Sequence, residues 1–197
     1  MKFKTHQKRK LISYSVRLVF EFKASVNKNS FNSRLHQFRR NDYITIITGY
    51  KPERPVSSFG HFNFPDRLME RIRRSDFIDP TPIQSAACPQ ILAGRDVIGI
   101  ARTGSGKTAA FIWPIIYHCL KQLPLQDGDG PMAVILAPTR ELSQQIYSEV
   151  KRFIKNYSKL HAGLCFGGGN MYDQGKELKR GCEILVATPG ERVRLKK

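Results

Sequence analysis

The segment Thr103-Gly104-Ser105-Gly106-Lys107-Thr108 constrains this chain more than any other, because it joins a short apolar run at 96–100 to a helix-patterned stretch at 107–121. A strand that ends in a glycine-rich turn and re-enters as a helix points backbone N–H groups inward and aims the positive end of the helix at the turn. That is a cradle for phosphate. Lys107 is placed to reach the outer phosphates, and the Thr108 hydroxyl is placed to ligate Mg²⁺. Ala101 stands where the strictest form of the pattern has its first glycine. A chance glycine-rich turn is the bland alternative, and the intact Gly-Lys-Thr in a strand-loop-helix setting argues against it.

The rest of the chain repeats the same alternation. Residues 65–74 read as a short helix with Leu68, Met69 and Ile72 on one face. Strand-like runs at 133–137, 163–166 and 184–187 are interleaved with helical stretches at 141–156 and 172–179. In the second of the long helices Leu142, Ile146, Val150 and Phe153 share a face. Continuous apolar strands alternating with helices predict an α/β fold with a parallel sheet flanked by helices.

Upstream of Pro55 the pattern is lost. Residues 1–51 carry 12 basic and 2 acidic side chains, a net +10, whereas the whole chain of 197 residues carries +17. The reading divides the chain into a basic extension at 1–54, a compact domain at 55–190 and a basic tail at 191–197. Such an excess of positive charge suits a nucleic-acid backbone, where each neutralised phosphate releases condensed counterions. A solvated tail is the alternative. The four cysteines, Cys88, Cys119, Cys165 and Cys182, show no metal-ligand spacing, so neither zinc nor a disulfide framework is expected. No apolar stretch approaches the roughly 20 residues needed to span a bilayer.

Several kinds of enzyme use a phosphate loop, and its neighbours discriminate among them. Asp79-Pro80-Thr81-Pro82-Ile83-Gln84, with Phe77 just before it and Phe59 farther upstream, resembles the Q motif of DEAD-box RNA helicases. Gln84 offers a donor and an acceptor in one planar amide, which suits the edge of adenine, and Phe77 could stack on the base. Pro138-Thr139-Arg140-Glu141-Leu142-Ser143-Gln144-Gln145 is similar to that family's PTRELxxQ element and falls where a strand ends and a helix begins. Ligands of open parallel sheets bind beyond the carboxyl ends of the strands. A threonine, an arginine and backbone N–H groups there can hold phosphate. Phe166-Gly167-Gly168-Gly169 resembles the family's GG element, and Thr188-Pro189-Gly190 the start of its TPGR element. Taken singly, a lone Phe is usually core, three glycines are weak evidence, and Arg140 would be an ordinary capping residue. A small-molecule kinase would leave the Q-like and PTREL-like segments unexplained.

The resemblance implies a partial first RecA-like domain that binds ATP with Mg²⁺ and contacts RNA. It assigns the nucleotide to Phe59, Phe77, Gln84 and Thr103, Gly104, Ser105, Gly106, Lys107 and Thr108. It assigns the RNA backbone to Pro138, Thr139, Arg140, Gly167, Gly168, Thr188 and Gly190. The wording around the phosphate loop is most similar to the nuclear, splicing-associated branch, which implies ribonucleoprotein or spliceosomal partners and a nuclear or cytoplasmic place. The family's Asp-Glu-Ala-Asp sequence does not occur in the chain, and Glu191 stands where TPGR has its arginine. The catalytic set is therefore incomplete, and the expectation is negligible hydrolysis and no unwinding by this polypeptide alone. A non-catalytic RNA-binding short form that uses its basic extension is the alternative.

Overall fold

The computed structural model describes residues 49–126, 128–168, 174, 175, 178 and 180–189, together with the backbone of 18–19, 36–40 and 43–47. Gly190 and the tail 191–197 lie outside the described residues, as does most of the extension. Of the stretch 172–179, residues 174, 175 and 178 are described and are helical.

The elements follow in the order β1 (Leu18–Val19), β2 (His36–Arg40), β3 (Tyr43–Ile47), a 3-10 turn (Phe59–Phe62), α1 (Asp66–Arg73), α2 (Pro82–Leu92), β4 (Val97–Ile98), α3 (Lys107–Leu120), β5 (Ala133–Leu136), α4 (Arg140–Ile154), β6 (Ala162–Cys165) and β7 (Ile184–Ala187). β5, β7 and β6 form a parallel sheet in that spatial order. Their register aligns Leu136 with Ala187 and Ala187 with Cys165, so the three carboxyl ends are level. Two further bonds carry the ladder past the strands, from Ala137 N to Ala187 O at 2.9 Å and from Thr188 N to Cys165 O at 3.1 Å. The strand that feeds the phosphate loop is shorter than its apolar run: only Val97 and Ile98 pair, in parallel with Leu18 and Val19 of β1. The extension also contributes an antiparallel pair, β2 with β3.

α4 covers one face of the three-stranded sheet, where Ile135, Ile184, Val186 and Ala162 join the core. On the opposite face of β5, Val134 and Leu136 stay exposed. Within α4, Ile146, Val150 and Phe153 are buried as the helical spacing predicts, whereas Leu142, in the first turn, is exposed. The aromatic part of the core gathers around Trp113 of α3, which is fully buried and meets Phe59, Phe77 and Phe153 edge to face at 5.5, 5.0 and 5.7 Å between ring centroids. α1 is tied to α4 through Arg71, whose Nε and Nη2 donate to the carbonyl of Arg152 in the last turn at 3.1 and 2.7 Å. A cation there also complements the negative end of the helix.

Two prolines sit inside helices, Pro89 in α2 and Pro114 in α3. A proline has no N–H, so it releases the carbonyl four residues earlier from the helical ladder. Both released carbonyls are taken by neighbours. Ser85 O accepts from Val56 N at 3.2 Å, and Ala110 O accepts from the Cys88 thiol at 3.2 Å. The first of these bonds belongs to a strap. Residues 50–56 run along α2, where the Ser85 hydroxyl donates to Val56 O. The carboxamide of Gln90 accepts from Glu53 N and donates to Glu53 O. Arg95 donates to Tyr50 O and Lys51 O. Residues 50–54, read from sequence as part of the extension, are thus held against the helix that begins at the Q-like segment.

Candidate nucleotide and nucleic-acid sites

Two loci collect the residues singled out above. The first is the loop between β4 and α3. Gly104 and Gly106 hold φ of +75° and +84°, in the left-handed region that only glycine enters without strain. Gly106 has a second reason to lack a side chain, because a Cβ there would lie 2.5 Å from Gln84 Nε2. Gln84 is fully buried: its Oε1 accepts from Thr81 N at 2.9 Å, and its Nε2 donates to Gly106 O at 3.2 Å. The Q-like segment and the phosphate loop are thereby joined through one side chain. Pro82 at the first helical position starts α2 at the place that keeps Gln84 in its first turn.

Lys107 opens α3, and its ammonium donates back to Ala101 O and Arg102 O at 2.5 and 2.6 Å. Burial of the ammonium lowers its pKa from the ordinary value of 10.5. Beside it the Ser105 hydroxyl is buried and, among the described residues, has no hydrogen-bond partner. A cation that donates to two backbone carbonyls and an orphaned hydroxyl form a donor-rich set that fits a phosphate group. Thr103 and Gly104 are exposed, and Thr108 is half-buried in the first turn of α3. Phe59 is buried against Trp113 and Phe62, and Phe77 is half-buried against Trp113 and Phe153. Both rings are engaged in the core.

The second locus lies at the level carboxyl ends of β5, β6 and β7. It is an open cavity of about 570 Å³ lined by Pro138, Thr139, Arg140 and Glu141 from the β5–α4 turn, Gly167 after β6, and Thr188 and Pro189 after β7. The three elements recognised separately in the sequence meet here. Thr139 caps α4, its hydroxyl oxygen accepting from Leu142 N at 3.2 Å. Gly168, with φ of +69°, packs against the guanidinium of Arg140. Gly190 lies outside the described residues.

Two contributors went unread in the sequence. Gln174 clamps the residue before the glycines, accepting from Phe166 N at 3.0 Å and donating to Phe166 O at 3.2 Å. A glutamine acting across eight residues leaves no spacing signature. Glu141, part of the PTREL-like element but given no role there, brings a carboxylate into a cavity otherwise suited to anions. Among the described residues no group of three His, Cys, Asp or Glu side chains could hold a metal ion, and no helix is long and apolar enough to cross a membrane.

The model of the DEAD/DEAH box helicase family matches residues 81–196. The ATP-dependent RNA helicase DDX42 of Mus musculus is 56% identical over 144 residues, which are 73% of this chain and 15% of that protein. DEAD-box ATP-dependent RNA helicase 24 of Arabidopsis thaliana is 50% identical over 144 residues, 73% of this chain and 19% of that protein. The crystal structure of the RNA-helicase Prp28 from Chaetomium thermophilum bound to ADP superposes with a TM-score of 0.66 at 42% identity, covering 72% of this chain and 34% of that one. The fold is thus the α/β, RecA-like fold of helicases, and the chain spans only a small part of the length of the relatives it matches. The motifs, the sheet that gathers them and the family match agree: this chain belongs to the DEAD/DEAH box helicase family.

Proposed function

We propose that this chain is an ATP-binding and RNA-binding part of a DEAD-box ATP-dependent RNA helicase, with the domain at 55–190 as its working unit. The observation that carries the reading is the Gln84 amide set against Gly106 of the phosphate loop, with a second, cation-bearing cavity at the strand ends. The β4–α3 loop takes the phosphates: Lys107 leaves the carbonyls of Ala101 and Arg102 for them, Ser105 and the loop N–H groups donate, and Thr108 ligates Mg²⁺. When bound, Mg²⁺ neutralises charge on the phosphate oxygens. Gln84, buried and bonded to Thr81 N and Gly106 O in this structure, turns to the adenine edge as Lys107 turns to the phosphates, and Phe59 and Phe77 support that segment through Trp113. At the second cavity Thr139, Arg140 and the backbone around Gly167, Gly168 and Thr188 hold an RNA backbone, which fixes position without reading sequence, and the family resemblance adds Gly190 to that set.

The 197-residue polypeptide binds nucleotide without turning it over. Hydrolysis requires positioned Mg²⁺, an oriented water and cations on the developing charge, and an arginine finger alone is worth about 10³ to 10⁵ in rate. The carboxylates that perform the first two tasks in the family are not in this sequence. Ribonucleoprotein partners, and with them a nuclear place, are supported by the similarity to a yeast DEAD-box splicing factor, Prp28, at 37% identity.

The test is a fluorescence titration of the full chain with labelled ADP and labelled GDP, followed by a phosphate-release assay with ATP. Tighter binding of ADP, lost in Gln84→Ala, with no release above the Lys107→Ala background is the expected result. Equal affinity for the two nucleotides would overturn the adenine assignment. The net charge of +10 on residues 1–51 favours a second reading, in which the extension supplies the RNA affinity. Deleting those residues separates the two, since an affinity and salt slope that survive belong to the folded domain.

A further inference from the structure

We infer that Gly168 is a positioning residue for Arg140: its missing side chain is the seat in which the guanidinium rests at the strand-end cavity. A Cβ built on Gly168 would lie 2.7 Å from Nη2, 3.2 Å from Nη1 and 3.3 Å from Cζ of Arg140. The whole outer end of the guanidinium therefore occupies the space that any other residue would fill. Arg140 is also the first residue of α4, where a cation opposes the positive end of the helix. An arginine kept at an unfavourable place for helix stability and seated against a turn from another strand serves something other than the helix. The inference rests on the reading of this cavity as an RNA-backbone site, and it names what holds its cation.

The residue that leads into the turn is anchored. Gln174 bonds both the N–H and the carbonyl of Phe166, and Gly167 follows directly. The guanidinium, by contrast, ends a flexible side chain. A side chain at position 168 would therefore displace Arg140 and leave the sheet in place. Gly168 also has φ of +69°, which asparagine tolerates better than alanine. Gly168→Asn thus introduces the Cβ with less backbone strain than Gly168→Ala.

The experiment measures binding of the full chain to a fluorescein-labelled ten-nucleotide oligouridylate by anisotropy at several KCl concentrations. Arg140→Gln, Gly168→Asn and Gly168→Ala should each weaken binding about tenfold, the loss expected for one charge-assisted contact. Each should also make the salt slope shallower by about 0.7, the change for one phosphate contact on a single strand. Melting followed by circular dichroism should stay near wild type for Gly168→Asn. In the Arg140→Gln background, Gly168→Asn should add less than about a twofold further loss. A full tenfold loss in that background, or an unchanged affinity and slope in Gly168→Asn, overturns the inference. If wild type binds no oligouridylate, the RNA reading of the cavity fails, and the seat is tested by the Arg140 Nε–Hε resonance, assigned by its absence in Arg140→Gln. A shift of that resonance in Gly168→Asn then supports the seat, and an unmoved resonance refutes it.

Discussion

Nε2 of Gln84 donates to the carbonyl oxygen of Gly106 at 3.2 Å, so the residue proposed to read the base and the loop proposed to hold the phosphates share one hydrogen bond. Gly106→Ala would place a methyl 2.5 Å from that nitrogen on a backbone with φ of +84°. The left-handed conformation alone costs a residue with a Cβ roughly 1–2 kcal/mol, and displacing a buried amide adds to it. The expected outcome is a lower melting temperature and at least a tenfold weaker affinity for labelled ADP. Wild-type affinity in Gly106→Ala would show that the Gln84 contact has no bearing on nucleotide binding.

Trp113 is the only tryptophan in the chain and is fully buried, and among the described residues its indole Nε1 has no hydrogen-bond partner. Trp113→Ala opens a large cavity among Phe59, Phe77 and Phe153 and should cost about 3–5 kcal/mol. Trp113→Phe loses ring area but removes an unsatisfied donor whose burial costs about 1–3 kcal/mol, so the net loss should stay below about 1.5 kcal/mol. Urea denaturation followed by circular dichroism measures both. A loss in Trp113→Phe well above about 1.5 kcal/mol would mean that the orphaned donor carries little cost.

The parts of this molecule that were legible in the sequence are those where backbone chemistry restricts residue type. Glycines with positive φ at 104 and 106, a threonine cap at 139 and apolar spacing in α4 leave patterns within a few residues of one another. What was not legible depends on contacts between distant segments. Nothing local distinguishes Phe59 and Phe77 as partners of Trp113 from aromatics that stack on a base. Gln90, Gln174 and Gly168 act on backbone or side chains reached only through the fold. The apolar run at 96–100 contains only two paired residues because pairing depends on a neighbour, here β1, as well as on propensity.

All four cysteines are buried, and burial pushes the thiol of Cys119 up to about 12 and that of Cys88 higher still. In the unfolded chain a thiol loses its proton near the ordinary value of 9.0. Between that value and about 12 the folded protein holds more protons than the unfolded one, so stability is complete below pH 9 and falls as pH rises. Lys107 acts in the opposite direction, because its lowered pKa makes stability rise towards pH 10.5. A comparison with Cys88→Ser/Cys119→Ser removes the lysine contribution, which both proteins share. The double variant should lose less stability than wild type between pH 8 and pH 10 in chemical denaturation. Parallel pH profiles would count against burial as the cause.

Gln90 and Glu53 make the sharpest contrast in the strap, because the glutamine uses its side chain and the glutamate its backbone. Gln90 is buried and holds Glu53 N at 3.1 Å and Glu53 O at 2.8 Å. Gln90→Met keeps the volume and removes both bonds. Glu53 is exposed, so water can take over its N–H and carbonyl, and the loss should be about 1–2 kcal/mol, near the net worth of two hydrogen bonds. Glu53→Ala leaves both bonds intact and removes only a solvent-exposed ion pair with Arg95 at 3.8 Å, a contact worth about 0–1 kcal/mol. Thermal melts at low and high salt separate the cases: Gln90→Met should lower the midpoint at both salt concentrations, and Glu53→Ala should do so slightly and only at low salt. If Glu53→Ala proves the more damaging substitution, the strap is held by charge, and the pairing of the Gln90 carboxamide with the backbone is not what fixes residues 50–56 to α2.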